Sequence, residues 1–294
     1  GEPCSMNSHS FAASPANREP LRAIVLAAQR QGALDPLAAR FGTTHKCLIP
    51  LHGRPLIAYV LETLGSSAHV GEIVVSVEEE QFPEIAAIAA HLGLAGQVRP
   101  VAAQSNIADS VIAAAEDHDG PFLITTADNA LLTERSVAAM ARALDRCDAA
   151  MALAQEESVR AAHPEGQRRF YGFRDGGYSN CNLYGIGSRK ALSAAEIFRG
   201  GGQFAKKARR IVDAFGLVNL LMLRARLVSL DGGLQRISRR IGHRIVPVVL
   251  PDGSQAIDVD NDRTYDVVAE LLEPRLHARQ HAPLHAMHPP RRAA

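Results

Sequence analysis

Four charged side chains in this sequence have the types and positions expected of a site that binds phosphate groups. Lys46 ends a long loop that follows the apolar run "AIVLAA". Asp128 comes directly after a second apolar run, "PFLITTA", and Asp258 and Asp260 follow a further apolar stretch. Carboxylate oxygens are the ligands that Mg²⁺ prefers, and a lysine offsets phosphate charge. Each group alone also fits a structural role, as a solvated lysine or a capping aspartate. Together they predict a magnesium–polyphosphate pocket.

The loop before Lys46 is rich in small, hydroxyl-bearing and cationic residues. These residues are Arg30, Gly32, Arg40, Gly42, Thr43 and Thr44. Small residues let backbone N–H groups approach a phosphate chain closely. The loop is not a Walker loop, because "THKC" stands where G-K-[ST] is required, and the dinucleotide fingerprint G-x-G-x-x-G is absent. An ordinary surface loop is the alternative reading.

Short apolar runs alternate with helical patterns through the first half of the sequence. The runs 23–28, 72–77, 97–102 and 121–127 are rich in β-branched residues, and between them apolar positions recur three and four residues apart. This alternation predicts an α/β fold with a Rossmann-like, three-layer architecture, in which helices cover both faces of a mostly parallel sheet. Ligands of such sheets bind beyond the carboxyl ends of the strands.

The second half adds a helix, strands and a hairpin. A helix is predicted with Thr133 as its N-cap, and a strand follows it. The stretch "RRFYGFRDGGYSNCNLYGIG" predicts a hairpin around the turn "DGG". The closing segment predicts two strands and a terminal helix that begins near Asn261 or Asp262. Asp258 and Asp260 would then lie at the end of the last strand.

The domain organisation follows from these patterns. We expect one α/β domain over residues 21–273, interrupted by a mostly helical, basic insertion at 188–243. Residues 1–20 lack the apolar core of a signal peptide, so a flexible leader is expected there. A flexible tail is expected over 274–294, where four irregularly spaced histidines do not resemble a metal site.

Composition excludes several classes of function. A net charge of +1 gives no case for nucleic acid as a partner. The four cysteines, Cys4, Cys47, Cys147 and Cys181, contain no C-x-x-C pair, so we expect neither a metal cluster nor a disulfide framework. Cysteines that form no disulfides are typical of the reducing cytoplasm. No run of 18 apolar residues occurs, so no transmembrane segment is expected.

Three motifs together resemble the MobA-like nucleotidyltransferases, which have a nucleotide-binding fold of the GT-A type. The family's lysine-containing segment stands here as "KCLIPLHGRPLI" (46–57). Its A-D-x-P-L turn stands as "ADNALLT" (127–133), and its late D-x-D segment stands as "DVDNDRTYDVV" (258–268). The sequence departs from the family at Gln29, where glycine is usual, and at Ala130, where proline is usual.

The resemblance implies a reaction and the residues that perform it. An acceptor oxygen would attack the α-phosphorus of an NTP, and pyrophosphate would leave. Lys46 would meet the charge at the α-phosphate, assisted by Arg30 or Arg40 from the same loop. Asp128 and Asp260, with Asp258 in reserve, would hold Mg²⁺. The nucleotide would bind three parts of the chain. They are the loop before Lys46, which we call the opening loop, the aspartate Asp128, and the segment that follows the apolar run 97–102. These positions are Leu26, Ala27, Ala28, Gln29, Gly32, Gln104, Ser105, Ser110 and Asp128. For the segment that contains Gln104, Ser105 and Ser110, a helix N-terminus capped by Ser105 or Asn106 is the alternative.

The second half of the chain offers candidate contacts to the acceptor. Asn180 and Asn182 share one face of a strand, where asparagine is uncommon, so acceptor hydrogen bonds and a polar solvent face are both open readings. The insertion is strongly basic, and we expect its apolar face to pack on the main domain with most arginines in solvent, while Arg209 and Arg210 reach an acceptor phosphate. A peripheral contact with an anionic membrane and a homodimer contact are alternatives for the insertion.

The resemblance favours nucleotidyl transfer to a small acceptor that carries a phosphate or phosphonate group. CTP is favoured over GTP, because the acceptor region is unlike that of sugar-specific relatives. A GT-A glycosyltransferase that uses "DVD" as its metal motif is one alternative. A nucleotide-binding regulator without activity is another, motivated by Gln29 and Ala130.

Overall fold

The structure, a computed structural model, describes residues 19–29, 34–192 and 226–281. Strands and helices alternate along these ranges as the sequence predicts. The strands are β1 (Leu21–Leu26), β2 (Pro50–Leu51), β3 (Arg54–Pro55), β4 (Val70–Val77), β5 (Val98–Ala102), β6 (Phe122–Thr126), β7 (Ala149–Gln155), β8 (Tyr171–Phe173), β9 (Gly176–Ile186) and β10 (Ile245–Val249). The helices are α1 (Pro36–Arg40), α2 (Leu56–Ser66), α3 (Phe82–His91), α4 (Ile107–Ala114), α5 (Glu134–Ala143), α6 (Glu156–Ala162), α7 (Leu230–Ile241) and α8 (Asp262–Gln280).

One large sheet carries the fold. Its order is β10-β7-β9-β6-β1-β4-β5, and β8 pairs with β9. β1 lies between β4 and β6 and is parallel to both, while β5 and β10 are parallel to β4 and β7. β9 runs antiparallel to β6, β7 and β8. The predicted α/β fold with a mostly parallel sheet is confirmed.

Helices cover both faces of this sheet and give the predicted three layers. Successive side chains of β1 point to opposite faces. Val25 belongs to the buried cluster that contains residues of α2, α3, α5 and α8, whereas Ile24 belongs to the cluster that contains residues of α4. Both side chains are fully buried, and each such burial contributes about 1.5–3 kcal/mol to folding. The central strand is therefore fixed from two sides.

Local side-chain bonds begin two of the helices as predicted. Thr133 is the N-cap of α5, and its Oγ1 accepts the N–H of Ser136 at 3.3 Å. Asn261 is the N-cap of α8, and its Oδ1 accepts the N–H of Thr264 at 3.0 Å. The Thr264 hydroxyl accepts the N–H of Asn261 in return, at 3.0 Å, which completes a capping box. This box fixes the chain directly after Asp260.

The second strand predicted before α8 is wrong. Residues 253–256 form a 3₁₀ helix, and 257–260 have no regular structure. Ile257 and Val259 are buried and alternate with polar residues, which imitates the period of a strand. The N–H of Val259 donates to the carbonyl of Asp128 at 3.2 Å instead of entering a ladder. Asp258 and Asp260 are therefore supplied by a loop.

The expectation of a tail from residue 274 also needs correction, because α8 continues to Gln280. Pro274, which reads as a helix stop, lies inside the helix. Arg275 donates to the carbonyl of Leu131 at 2.8 Å and to Ser254 Oγ at 3.1 Å. Arg279 forms an ion pair with Glu62. These contacts fasten the last turns to the body of the domain.

Parts of the predicted leader, insertion and tail lie outside the described residues. These parts are 1–18, 193–225 and 282–294. Within the described part of the insertion, α7 has the predicted helical structure and packs Leu234 and Ile237 against β7 and β10. No helix in the described ranges has the length and apolar content that a bilayer crossing requires.

Candidate active site

Two neighbouring parallel strands supply the first part of the site. Leu26 and Thr126 are paired at the carboxyl ends of β1 and β6. Directly beyond them, the N–H of Ala127 donates to the carbonyl of Leu26 at 3.0 Å. The loop after β1 and the loop that contains Asp128 therefore leave the same edge of the sheet. This is the edge at which the sequence predicts a ligand.

Lys46 returns to this edge from the long loop. It lies in a 3₁₀ helix, Lys46–Leu48, in which Cys47 is buried, and the buried Ile49 follows. The buried Cys47 and Ile49 fix the backbone on both sides of Leu48, and the Lys46 side chain lies towards the aspartates. Its Nζ lies 2.5 Å from Asp128 Oδ2 and 3.1 Å from Asp260 Oδ1. The structure brings together the lysine and the two carboxylates that the sequence singles out.

Asp258 completes a cluster of three carboxylates. One oxygen from each of Asp128, Asp258 and Asp260 lies within 4.8 Å of the others. Burial raises the pKa of Asp258 well above its ordinary value, and the charges of Asp128 and Asp260 raise it further. Burial also opposes the charge of Lys46, but the carboxylates of Asp128 and Asp260 outweigh it and raise the pKa of Lys46. Lys46 therefore remains an ammonium ion among the carboxylates.

This cluster fits a divalent cation such as Mg²⁺. Its donors are hard carboxylate oxygens, which Mg²⁺ prefers. Negative charges at such short range repel one another, so a bound cation would stabilise the ionised carboxylates. Lys46 supplies a single positive charge against three acidic groups. When all three are ionised, the cluster keeps an excess of negative charge that a divalent ion would neutralise.

Asn180 and Asn182 on β9 adjoin the cluster. The side-chain amide of Asn182 donates to Asp258 Oδ2 at 2.6 Å. The backbone N–H of Asn182 donates to Asn180 Oδ1 at 2.9 Å, and Asn180 Nδ2 donates to the hydroxyl of Tyr184 at 2.5 Å. The two asparagines thus form a hydrogen-bonded path that ends on a carboxylate of the cluster.

Sequence reasoning missed Glu78 and His45, which hold the described ends of the opening loop. Glu78 accepts the backbone N–H of Gln29 at 2.7 Å. Its second carboxylate oxygen lies 2.6 Å from His45 Nε2, and His45 Nδ1 lies 2.8 Å from Thr44 Oγ1. His45 is buried, whereas Ala28 is exposed at the start of the loop. The available signal was an acidic residue directly after β4, the strand that neighbours β1.

The arginines predicted to bind phosphate are only partly described. Arg40 ends α1 and forms an ion pair with Asp262, the first residue of α8. Asp262 lies two residues after Asp260, so this pair belongs to the same end of the domain as the cluster. The positions Arg30, Gly32, Arg209 and Arg210 lie outside the described residues.

The segment predicted to contact the base follows β5 at the same sheet edge. Asn106, not Ser105, caps α4, and its Oδ1 accepts the N–H of Asp109 at 2.9 Å. Ser110 is buried, and its Oγ accepts the backbone N–H of Gln104 at 2.8 Å. Gln104 and Ser105 are exposed. Ser110 thus supports the turn that presents these two side chains to solvent.

Two more side chains near Asp128 were not singled out from the sequence. The hydroxyl of Thr126 donates to Asp128 Oδ1 at 2.5 Å and so orients that carboxylate. Asn129 is buried, and its amide donates to Thr125 Oγ1 at 3.1 Å and to the carbonyl of Cys181 at 3.3 Å. The signal for each was a polar residue within two positions of a predicted metal ligand.

Comparison with protein families and solved structures relates this geometry to known proteins. The family model described as the MobA-like NTP transferase domain matches residues 23–230. A hypothetical transferase structure from Thermus thermophilus is 23% identical, with a TM-score of 0.67, and the match covers 84% of this chain and 100% of that one. Comparison with curated proteins gives no match.

Two further solved structures have the same fold at lower identity. The 4-diphosphocytidyl-2C-methyl-D-erythritol synthase from Anaerococcus prevotii is 12% identical, with a TM-score of 0.54 over 87% of this chain and 99% of that one. A CMP:2-keto-3-deoxy-manno-octonic acid synthetase complexed with CTP is 13% identical, with a TM-score of 0.51 over 86% and 99%. At these identities the likeness concerns the fold.

Proposed function

Because the chain belongs to the MobA-like NTP transferase family, we propose that it transfers an NMP group from an NTP to an acceptor that carries a phosphate or phosphonate group. An acceptor oxygen forms a bond to the α-phosphorus. The bond from the α-phosphorus to the oxygen that bridges to the β-phosphate breaks, and pyrophosphate leaves with the electron pair. Such a reaction needs alignment and charge neutralisation more than covalent participation by the protein.

The observation that carries this proposal is the position of Lys46 between Asp128 and Asp260. The two carboxylates hold the ammonium group at the carboxyl edge of the sheet before any substrate arrives. A cation that is already in place does not have to reorganise when negative charge develops on a phosphate. We assign to Lys46 the neutralisation of the α-phosphate.

Asp128, Asp258 and Asp260 would hold Mg²⁺, which would neutralise polyphosphate charge when bound. Thr126 orients Asp128 through its hydroxyl, and the capping box of α8 fixes the backbone beside Asp260. Asp128 and Asp260 thus each have a support of their own, which favours a cluster that keeps its geometry while substrates bind and leave.

The nucleotide would lie across the loops after β1 and β5. Arg40 would exchange its exposed carboxylate partner for a phosphate group. The exposed side chains of Gln104 and Ser105 would face the base, on the turn that Ser110 supports. Asn180, on β9 at the other side of the carboxylate cluster, would face the acceptor.

We propose CTP as the nucleotide to be tested first. One structural neighbour is described as a diphosphocytidyl-methylerythritol synthase, and another is described as complexed with CTP. These descriptions concern those proteins and, at their identities, give a starting point for this chain. The acceptor class proposed here, a small molecule with a phosphate or phosphonate group, rests on the resemblance alone.

A thermal-shift screen followed by a turnover assay tests this proposal. The protein is mixed with Mg²⁺ and each of ATP, GTP, CTP and UTP, and the NTP that raises the melting temperature most is selected. Pyrophosphate release is then measured with that NTP and a panel of phosphorylated acceptors, with Asp128→Asn as the control. Release that depends on acceptor and on Asp128 supports nucleotidyl transfer. NTP binding with no release from any acceptor in the panel would instead support a regulator.

A further inference from the structure

β9 is distorted where it passes the carboxylate cluster. Between the pairs Met151–Tyr184 and Leu153–Asn180, β7 has one residue while β9 has three, so β9 bulges. Within this bulge Asn182 has a φ of +49°, in the left-handed region. This conformation costs about 1–2 kcal/mol for most residues, and asparagine is one of the few side chains that adopt it readily. A distortion of this kind needs support from its surroundings.

Side chains satisfy the backbone groups that the bulge removes from the sheet. The carbonyl of Asn182 accepts the hydroxyl of Thr125 at 2.9 Å, and the carbonyl of Cys181 accepts the amide of Asn129 at 3.3 Å. The N–H of Asn182 donates to Asn180 Oδ1 at 2.9 Å. Leaving such groups unpaired in the interior would cost about 1–3 kcal/mol each. The bulge is therefore stabilised from β6, from the loop that follows β6 and from β9 itself.

The same bulge directs the Asn182 side chain to Asp258. Its amide lies 2.6 Å from Asp258 Oδ2, while Asp258 sits in a loop without a strand ladder to fix it. We infer that Asn182 is a positioning residue for the metal site. It holds one oxygen of Asp258 and leaves the other oxygen for a cation. This inference rests on the proposed function only in requiring that the cluster binds a divalent ion.

The sequence leaves an acceptor contact and a polar solvent face open for Asn182, and this role differs from both. A residue that binds acceptor changes the acceptor's KM and leaves the affinity for metal unchanged. A residue that positions Asp258 changes the affinity for metal whether or not an acceptor is present. Outer-shell hydrogen bonds of this kind are worth about 10–100-fold in metal affinity. The two roles can therefore be separated by measuring metal binding directly.

The test compares the wild type with Asn182→Gly. Glycine adopts the left-handed conformation without strain, so this change removes the amide and leaves the bulge backbone acceptable. Asp117→Gly is the matched control, because Asp117 has a φ of +60° and is exposed on the loop before β6. Each full-length protein is titrated with Mn²⁺ and followed by EPR, with and without a non-reactive α,β-methylene NTP analogue. Melting temperatures are measured in parallel.

We expect Asn182→Gly to bind Mn²⁺ about tenfold more weakly, with acceptor KM unchanged and Asp117→Gly equal to the wild type. Unchanged Mn²⁺ affinity in Asn182→Gly would overturn the inference, as would a wild type that binds no Mn²⁺ under either condition. A lower melting temperature with normal Mn²⁺ affinity would indicate a purely structural role and would also overturn it. Weaker Mn²⁺ binding in a protein that transfers no nucleotide would support the inference while the proposed function fails.

Discussion

At the carboxyl edge of the sheet Lys46 lies between Asp128 and Asp260, whereas at the opposite edge Arg146, Arg239 and Arg244 line an open cleft. The edges are opposite because β6 and β7 both run antiparallel to β9, and the cleft adjoins the first residues of β10, which is parallel to β7. The cleft has a volume of about 550 Å³, which would hold a small ligand. Both regions gather charge.

The two regions differ in how their charges are held. Arg239 lies in the last turn of α7, where a cation complements the helix dipole, and Arg146 comes three residues after α5 ends. In the described ranges, none of the three arginines forms an ion pair, whereas Lys46 forms two. Asp258 in the carboxylate cluster is buried with a raised pKa. Desolvation and mutual bonding, more than cavity size or charge count, distinguish the carboxyl edge as the candidate active site.

Lys46→Met should have the largest effect on this comparison. It removes the ammonium group that we assign to the α-phosphate while keeping the apolar stem of the side chain. We expect kcat to fall by about 10²–10³-fold, the range for loss of one electrostatic stabiliser. Steady-state kinetics of pyrophosphate release measure this. A variant with kcat near the wild-type value would show that the ion pairs of Lys46 are structural only.

Asp258→Asn should separate stability from activity. Because the folded-state pKa of Asp258 is raised, its contribution to stability is fully present below the unfolded value of about 3.8 and is lost as pH rises through the folded pKa. Above that pH the fold holds a carboxylate that it disfavours. The neutral asparagine avoids this cost, so the metal-free variant should be more stable than the wild type, by a margin that grows with pH. Nucleotide transfer should fall on the order of 100-fold.

Urea denaturation of the metal-free proteins between pH 4 and pH 8 measures this margin. Asp262→Asn is the control, because Asp262 is exposed and its partner is Arg40 outside the cluster. A loss of stability in Asp258→Asn that does not change with pH would contradict the account of a strained carboxylate.

Glu78→Ala should have an intermediate effect. It deletes the acceptor for the N–H of Gln29 and the partner of His45, so the ends of the opening loop lose their common support. Two lost hydrogen bonds at about 0.5–1.5 kcal/mol each correspond to roughly a tenfold rise in KM for the NTP. Glu78→Gln retains an acceptor for Gln29 and should show a smaller rise. Equal KM values for the alanine variant and the wild type would mean that this support does not reach the nucleotide.

The sequence was sufficient for features that depend on near neighbours or on general rules of sheets. Thr133 and Asn261 cap helices through bonds within three residues, which a sequence displays directly. The position of Asp128 beside the loop after β1 followed from the rule that parallel strands present their carboxyl ends at one edge, while the return of Lys46 to that edge followed from the family resemblance. The same rule places Gln104 at that edge after β5.

The sequence was insufficient where long-range contacts decide the local structure. Ile257 and Val259 alternate as in a strand, but the segment is held by a bond to Asp128 and not by a ladder. The bulge at Asn182 depends on Thr125 and Asn129, which lie more than fifty residues earlier in the chain. Local propensity carries no information on such partners, so the bulge could be found only in the folded chain.

Arg239→Gln should have the smallest effect, and it tests the comparison from the other edge. The arginine lies at the exposed end of α7, so its loss removes a favourable interaction with the helix dipole. We expect a loss of stability within about 0.5 kcal/mol and no change in kcat or KM. Arg146→Gln changes another arginine that lines the cleft and should behave alike, and urea denaturation with steady-state kinetics measures both. If either variant changed kcat or KM, the opposite edge would communicate with the active site. The fact that these arginines form no ion pair in the described ranges could then no longer be taken as a sign that they have no role in the reaction.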